Sequence, residues 1–412
     1  MASMEDYRER LVGLVSDLVR IPTVNFPPDG NEAPGQARLR AFYEALGLEI
    51  DQFSPADLKE YPENPEFLPR NLNGRENLVG TWRGTGGGKS VLITGHMDVV
   101  PIEPLPWTVT QPFEPKLLDG KLYGRGSADM KGGLAAAAIA IRMLKDEGFA
   151  PRGDVILESV VDEEYAGANG TIASRFRGHN ADFAIVPEAS GLDICPACVG
   201  GMVFKLTMRG VAGMPYTGEE IPNLAYDLAD LLCLIRDFSA WRIETAPKPE
   251  LWAGTVQGAQ VVVTKVKAGE AYESGQLSAP IEAWVELVMQ SYPGESLEKL
   301  ERELKKFIRA RFRAADELTI EPQYHYCRPS STDPEHPGVQ ALSTALSSYE
   351  PAKVCGAMFS CDMFALTELG KIPSVVFGPV GGRLHGPDEW VDVKSLLVTA
   401  RTMADFIRNW CA

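Results

Sequence analysis

Ser90-Val91-Leu92-Ile93-Thr94-Gly95-His96-Met97-Asp98 is the stretch on which the fold turns. A short, nearly all-apolar run reads as a strand covered on both faces, as strands in helix-layered parallel sheets are. Working outward, Asp154–Val161 and Ala181–Val186 repeat the pattern, and the Ala-rich Gly132–Leu144 reads as a helix. Apolar positions recur every three to four residues over 5–20, an amphipathic helix ended by Ile21-Pro22, and a second helical segment lies near 35–46. Helix alternating with buried strand predicts an α/β unit with a mixed, mostly parallel sheet flanked by helices.

The middle of the chain has another character. Met202–Met208, Gln260–Val266 and Ala283–Ser291 read as half-exposed strands, with helices over 222–237 and Leu297–Phe312. After about residue 330 the α/β character returns, with a helix near 338–348, a strand at Ser374–Phe377 and a last helix over 394–410. The expectation is a larger unit of 1–199 and 326–412 interrupted by a smaller α+β unit at 200–325. A chain of 412 residues is long enough for two cores.

Composition excludes several classes. A net charge of −16 without any basic block argues against nucleic acid. No apolar run approaches the ~20 residues of a membrane span. The N-terminus lacks the basic and apolar regions of a secretory signal, so a cytoplasmic protein is expected. Seven scattered cysteines fit reduced thiols better than a disulfide framework. Cys195-Pro-Ala-Cys198 has the CxxC form, but no second CxxC or spaced histidine pair follows, so packing cysteines are expected.

Five residues stand where an open α/β sheet presents ligands, at or near strand ends. His96 closes the opening stretch, and Asp98, two residues on, can accept a hydrogen bond from its other ring nitrogen. Glu163 and Glu164 belong to Asp162-Glu163-Glu164, adjacent carboxylates at a strand end that repel one another unless cations neutralise them. Glu188 ends the next strand and His385 follows the strand at 374–377. Asp129 lies in the glycine-rich turn Gly124-Arg125-Gly126-Ser127-Ala128-Asp129, as a ligand able to offer both oxygens or as a helix cap. The Gly-Arg-Gly run invites a phosphate-binding reading, but it lacks GxGxxG and a Walker lysine. Mixed histidine and carboxylate ligands suit one or two divalent ions of Zn, Mn or Co, which activate a shared water and polarise a carbonyl.

The ordered runs Gly-His-Met-Asp-Val-Val-Pro, Gly-Arg-Gly-Ser-Ala-Asp-Met-Lys-Gly, Asp-Glu-Glu-Tyr-Ala-Gly, Pro-Glu-Ala and Leu-His-Gly-Pro-Asp-Glu resemble the acetylornithine deacetylase, succinyl-diaminopimelate desuccinylase and glutamate carboxypeptidase family of co-catalytic metallohydrolases. The resemblance implies that His96 and Glu188 hold one metal, that Glu164 and His385 hold the other, and that Asp129 bridges them. It further implies that Asp98 orients His96, that Glu163 is the general base, and that the Asp129–Met130 peptide is cis. The inserted unit would be the family's lid and dimerisation domain, giving a homodimer acting on a small-molecule substrate.

The lid departs from the family pattern. Met214 stands where a His is expected to stabilise the oxyanion, and Gln290 where an Arg is expected to grip a substrate carboxylate. Met offers no donor, and Gln cannot make a bidentate ion pair. Arg383, beside His385, is a candidate replacement. The expected reaction is hydrolysis of the amide C–N bond of a small N-acylated amino acid, amine or dipeptide. Two alternatives stay open: hydrolytic deamination of an aromatic amine such as an aminobenzoate, and a non-catalytic binding protein on the same fold.

Overall fold

A computed structural model describes every residue except 1–2, 166, 212, 214–217, 219–220, 256–257 and 270–278, and describes the backbone alone at 168, 324 and 325. The chain divides into two compact units, one of Met1–Cys198 with Ser330–Ala412 and one of Val199–Pro329.

The larger unit begins with helices α1 (Met4–Val19) and α2 (Ala33–Ala45), and α1 is capped by reciprocal Ser3 and Asp6 hydrogen bonds. Then come strands β1 (Glu49–Phe53), β2 (Asn77–Trp82) and β3 (Val91–His96), helix α3 (Lys131–Asp146), and strands β4 (Val155–Val160), β5 (Phe183–Val186) and β6 (Ile194–Cys198). In the smaller unit lie β7 (Gly200–Arg209), α4 (Leu224–Thr245), β8 (Val261–Ala268), β9 (Glu282–Ser291), α5 (Leu297–Arg309) and β10 (Leu318–Cys327). The chain returns with α6 (Pro337–Leu346), β11 (Val354–Ala357), β12 (Ser374–Val376) and α7 (Val393–Trp410).

The main sheet of the larger unit runs β6-β12-β5-β3-β4-β2-β1, with β11 added beside β6. Its centre is parallel: β12 pairs with β5, β5 with β3, and β3 with β4. On one side β4, β2 and β1 pair antiparallel; on the other β6 meets β12 antiparallel and β11 in parallel. Every residue of β3 and β4 is buried, as strands covered on both faces must be. Helix α3 packs against α1 and α7, and its Ala135, Ala136 and Ile139 are fully buried. With no free space around a buried alanine, Ala136→Leu should overpack the core at a cost of about 1–3 kcal/mol.

The smaller unit has a four-stranded antiparallel sheet, β8-β9-β7-β10. Met202, Phe204, Leu206 and Met208 of β7 are buried at every second position and join α4 and α5 in one core. Helix α4 extends past the expected residue 237 to Thr245, where Arg242 is buried and paired with Glu295 and Glu303 at 2.7 Å each.

Cys195 and Cys198 are buried in β6, and each meets a cysteine of another segment. Cys195 Sγ lies 4.0 Å from Cys355 Sγ, and Cys198 Sγ 3.8 Å from Cys361 Sγ. All seven cysteines are free. Among the described residues, no helix is long and apolar enough to cross a membrane.

Candidate metal centre

Neighbouring parallel strands bring together residues that are far apart in sequence. His96 is the last residue of β3 and pairs in register with Val160, the last of β4. Glu163 and Glu164 follow β4, Glu188 follows β5, and His385 follows β12. The carboxyl ends of four adjacent strands therefore converge on one point, where open α/β sheets bind ligands. Asp129 enters from the turn before α3, and its peptide bond to Met130 is cis.

The side chains form two groups that share Asp129. In the first, His96 Nε2 lies 3.1 Å from Asp129 Oδ1 and 3.3 Å from Glu188 Oε1. In the second, His385 Nε2 lies 3.1 Å from Asp129 Oδ2 and 3.1 Å from Glu164 Oε2. Within each group the donor atoms lie within 4.8 Å of one another. Ligands about 2.0–2.1 Å from one tetrahedral ion stand about 3.3 Å from each other, so each group fits a divalent cation. Asp129 offers one oxygen to each group. It does not cap α3, whose N-cap residue Met130 makes no side-chain hydrogen bond.

Glu163 belongs to neither group. Its Oε2 lies 3.7 Å from His96 Nε2. Burial among Asp362, Glu188 and Glu164 raises its pKa well above the usual carboxylate range, with His96 opposing the shift. Burial alone would lower the His96 pKa, yet Asp129, Glu163 and Glu188 outweigh it and raise it. For His385, Asp129 and Glu164 likewise overcome desolvation and raise the pKa to about 11. Burial and the nearby Asp129 lift Glu188 to about 7. The site is thus a concentration of negative charge that draws in protons, and a cation bound there would displace them.

One expected contact takes a different form. The ring Nδ1 of His96 bonds at 2.9 Å to the backbone carbonyl of Asp98, while the Asp98 carboxylate lies 3.7 Å away. That carboxylate instead accepts from the N–H groups of Glu163 and Glu164 and, at 2.7 Å, from Asn25 Nδ2. Asp98 therefore fixes His96 through its backbone and the acidic turn through its side chain.

Asp162 does not join the cluster that its neighbours form. It adopts a left-handed φ of 63° and is buried against Arg70 at 2.9 Å, Arg75 at 2.6 Å, Asn169 at 2.8 Å and Asn25 at 3.0 Å. Holding a non-glycine residue there costs about 1–3 kcal/mol, and this ionic network holds it. Nothing in the sequence marked Asn25, Arg70 or Arg75.

The remaining sequence candidates lie elsewhere. Arg383, with φ 57°, is exposed and 3.6 Å from Asp388 Oδ2. Gln290 is on β9 of the smaller unit, where its Oε1 accepts from Gln260 N at 3.1 Å. Met214 lies outside the described residues. Of the other histidines, His179 pairs with Asp51 at 2.8 Å and His336 stacks on Phe183.

Comparison with known proteins identifies a family and a fold. Residues 92–409 match the family described as peptidase family M20/M25/M40. The N-formyl-4-amino-5-aminomethyl-2-methylpyrimidine deformylase of Bacillus subtilis (strain 168) is 27% identical, over 99% of this chain and 96% of its own length. The succinyl-diaminopimelate desuccinylase of Cupriavidus necator is 31% identical over 55% of this chain and 58% of its own. Among solved structures, the dipeptidase Dug1p of Saccharomyces cerevisiae superposes with a TM-score of 0.77 at 14% identity, covering 99% of this chain and 97% of that one. At that identity the likeness concerns the fold.

Proposed function

The chain belongs to peptidase family M20/M25/M40, and from that premise we propose how its residues divide the work of hydrolysis. It is a metal-dependent hydrolase of amide C–N bonds in small substrates. His96 and Glu188 would hold one divalent ion and Glu164 and His385 the other, with Asp129 shared. A set of imidazoles and carboxylates suits Zn, Mn or Co. Cations held there would supply the Lewis acidity that polarises a substrate carbonyl and lowers the pKa of a water.

The chain's own contribution is proton transfer. Glu163 stands beside the site without belonging to either ligand group. Its place beside His96, 3.7 Å away and outside both ligand groups, suits it to take a proton from the attacking water and pass it to the departing amine nitrogen. The observation that carries this reading is the pair of ligand groups joined at Asp129, with one further half-buried carboxylate left over.

The proposed substrate is a small N-acylated amine, amino acid or dipeptide, with an N-formyl aminomethyl heteroaromatic the first to test. Both curated relatives are named for removing acyl groups. Aromatic-amine deamination and a non-catalytic role therefore gain no support. Arg383, Gln290 and Met214 are proposed as substrate-binding residues. A homodimer through that unit is also proposed, since its edge strand β8 exposes Val262 and Val266.

The decisive variant is Glu163→Gln. It should retain bound Mn or Zn while turnover of N-formyl, N-acetyl and N-succinyl amines falls by about 10²–10⁴-fold. An active variant overturns the base assignment. Turnover of an aminobenzoate with none of the amides would overturn the substrate class.

A further inference from the structure

The Gly124–Asp129 turn gathers backbone N–H groups on one side, as anion-binding turns do. The anion it binds is part of the protein. Glu389 is fully buried and lies in the segment that carries His385. Its Oε1 accepts from the N–H of Ala128 at 3.0 Å and of Asp129 at 3.1 Å. Its Oε2 accepts from Gly126 N at 3.0 Å and from Arg125 Nη1 at 2.9 Å. Its backbone carbonyl accepts from Gly124 N at 2.9 Å. Arg125, fully buried, completes the clamp through Glu103 at 2.5 Å. Gly126, at φ 81°, is required here, because a Cβ would meet Val99 at 2.8 Å.

We propose that Glu389 is a positioning residue that pre-forms the Asp129 turn, so that the shared carboxylate stands between His96 and His385 before any cation binds. The inference rests on the metal-site reading above. The chemistry is specific to a carboxylate. Four N–H donors converge on its two oxygens, and an amide would turn one NH₂ group against those donors. Because Asp129 serves both ligand groups, loss of Glu389 weakens both cation positions together, whereas loss of Glu188 or Glu164 touches one.

Asp388 supplies a matched control. It too is buried, and its Oδ1 accepts from Thr108 N and Val109 N at 2.8 Å each, but the loop it holds carries no ligand. Titration of the metal-free protein with Mn or Zn by calorimetry should show Glu389→Gln weakened by about 10- to 100-fold at both positions. Glu389→Asp should fall between it and the wild type, and Asp388→Asn should keep both affinities. Glu389→Gln binding both cations as tightly as the wild type overturns the inference. A wild type that binds no divalent cation overturns the metal-site reading beneath it. If Glu389→Gln does not fold, hydrogen exchange on the wild type decides. The amides of Gly126, Ala128 and Asp129 should be protected without metal, and protection that arrives only with the cation contradicts the proposal.

Discussion

The two halves of the candidate site are built differently although each offers an imidazole, a glutamate and one oxygen of Asp129. His96 ends a buried strand, is wholly enclosed, and is fixed by a backbone carbonyl two residues on. His385 sits on a loop in the left-handed conformation at φ 59°, with its side chain 55% exposed. The first half inherits its geometry from the sheet. The second depends on contacts made by its loop, such as those of Glu389. A rigid, buried ligand set loses less freedom on binding and is less accessible to water, so the His96 side should hold its cation more tightly and exchange it more slowly.

The largest effect should come from removing the residue common to both halves. Asp129→Ala should abolish tight binding at both positions and activity with it, which metal analysis after dialysis would show. Retention of one tightly held cation would mean that the halves are independent. Next in size, His385→Ala should empty the exposed position alone and leave the His96 position close to wild-type affinity. If both are lost, the halves do not differ as described.

Protonation sharpens the contrast further. A histidine whose pKa rises from 6.5 to about 11 on folding stabilises the metal-free fold below the unfolded value and loses that contribution as pH rises. Glu188, raised to about 7, acts in the same direction. The same protons oppose the cation. Lowering the pH from about 8 to about 6 should therefore weaken cation binding and narrow the Tm gap between loaded and metal-free protein. A gap that widens on acidification would contradict the charge balance described. The smallest effect belongs to Asp98→Asn. The backbone bond to His96 survives it, while the carboxylate that receives Glu163 and Glu164 N–H is lost. It should weaken the Glu164–His385 side by less than about 10-fold and spare the other.

Much of this was legible in the sequence because burial on both faces leaves an unbroken apolar run. β3, β4 and β5 could be read this way, and with them the strand-end positions of His96, Glu164 and Glu188. Mixed composition was legible where it alternated, as in β7, β8 and β9, and not where it did not. β10 contains Thr319, Glu321, Pro322 and Gln323, and Pro322 is tolerated because β10 lies at the sheet edge. β1 and β2 flank the parallel centre and carry no chemistry to draw notice. The supporting network was silent for a different reason. Asn25, Arg70, Arg75 and Asp162 meet only in three dimensions, and no spacing encodes that meeting. Glu389 was visible within Leu-His-Gly-Pro-Asp-Glu, and the Gly-Arg-Gly turn did look anion-binding. That its anion is Glu389, supplied from 260 residues away, needed the fold.

The proposed site holds two cations divided by the carboxylate of Asp129. The direct measurement is anomalous diffraction from crystals grown with Mn. Two peaks about 3.5–4 Å apart are expected, one beside His96 and Glu188 and the other beside Glu164 and His385, with the second weaker at limiting metal. A single peak, or peaks that do not share Asp129, would contradict it.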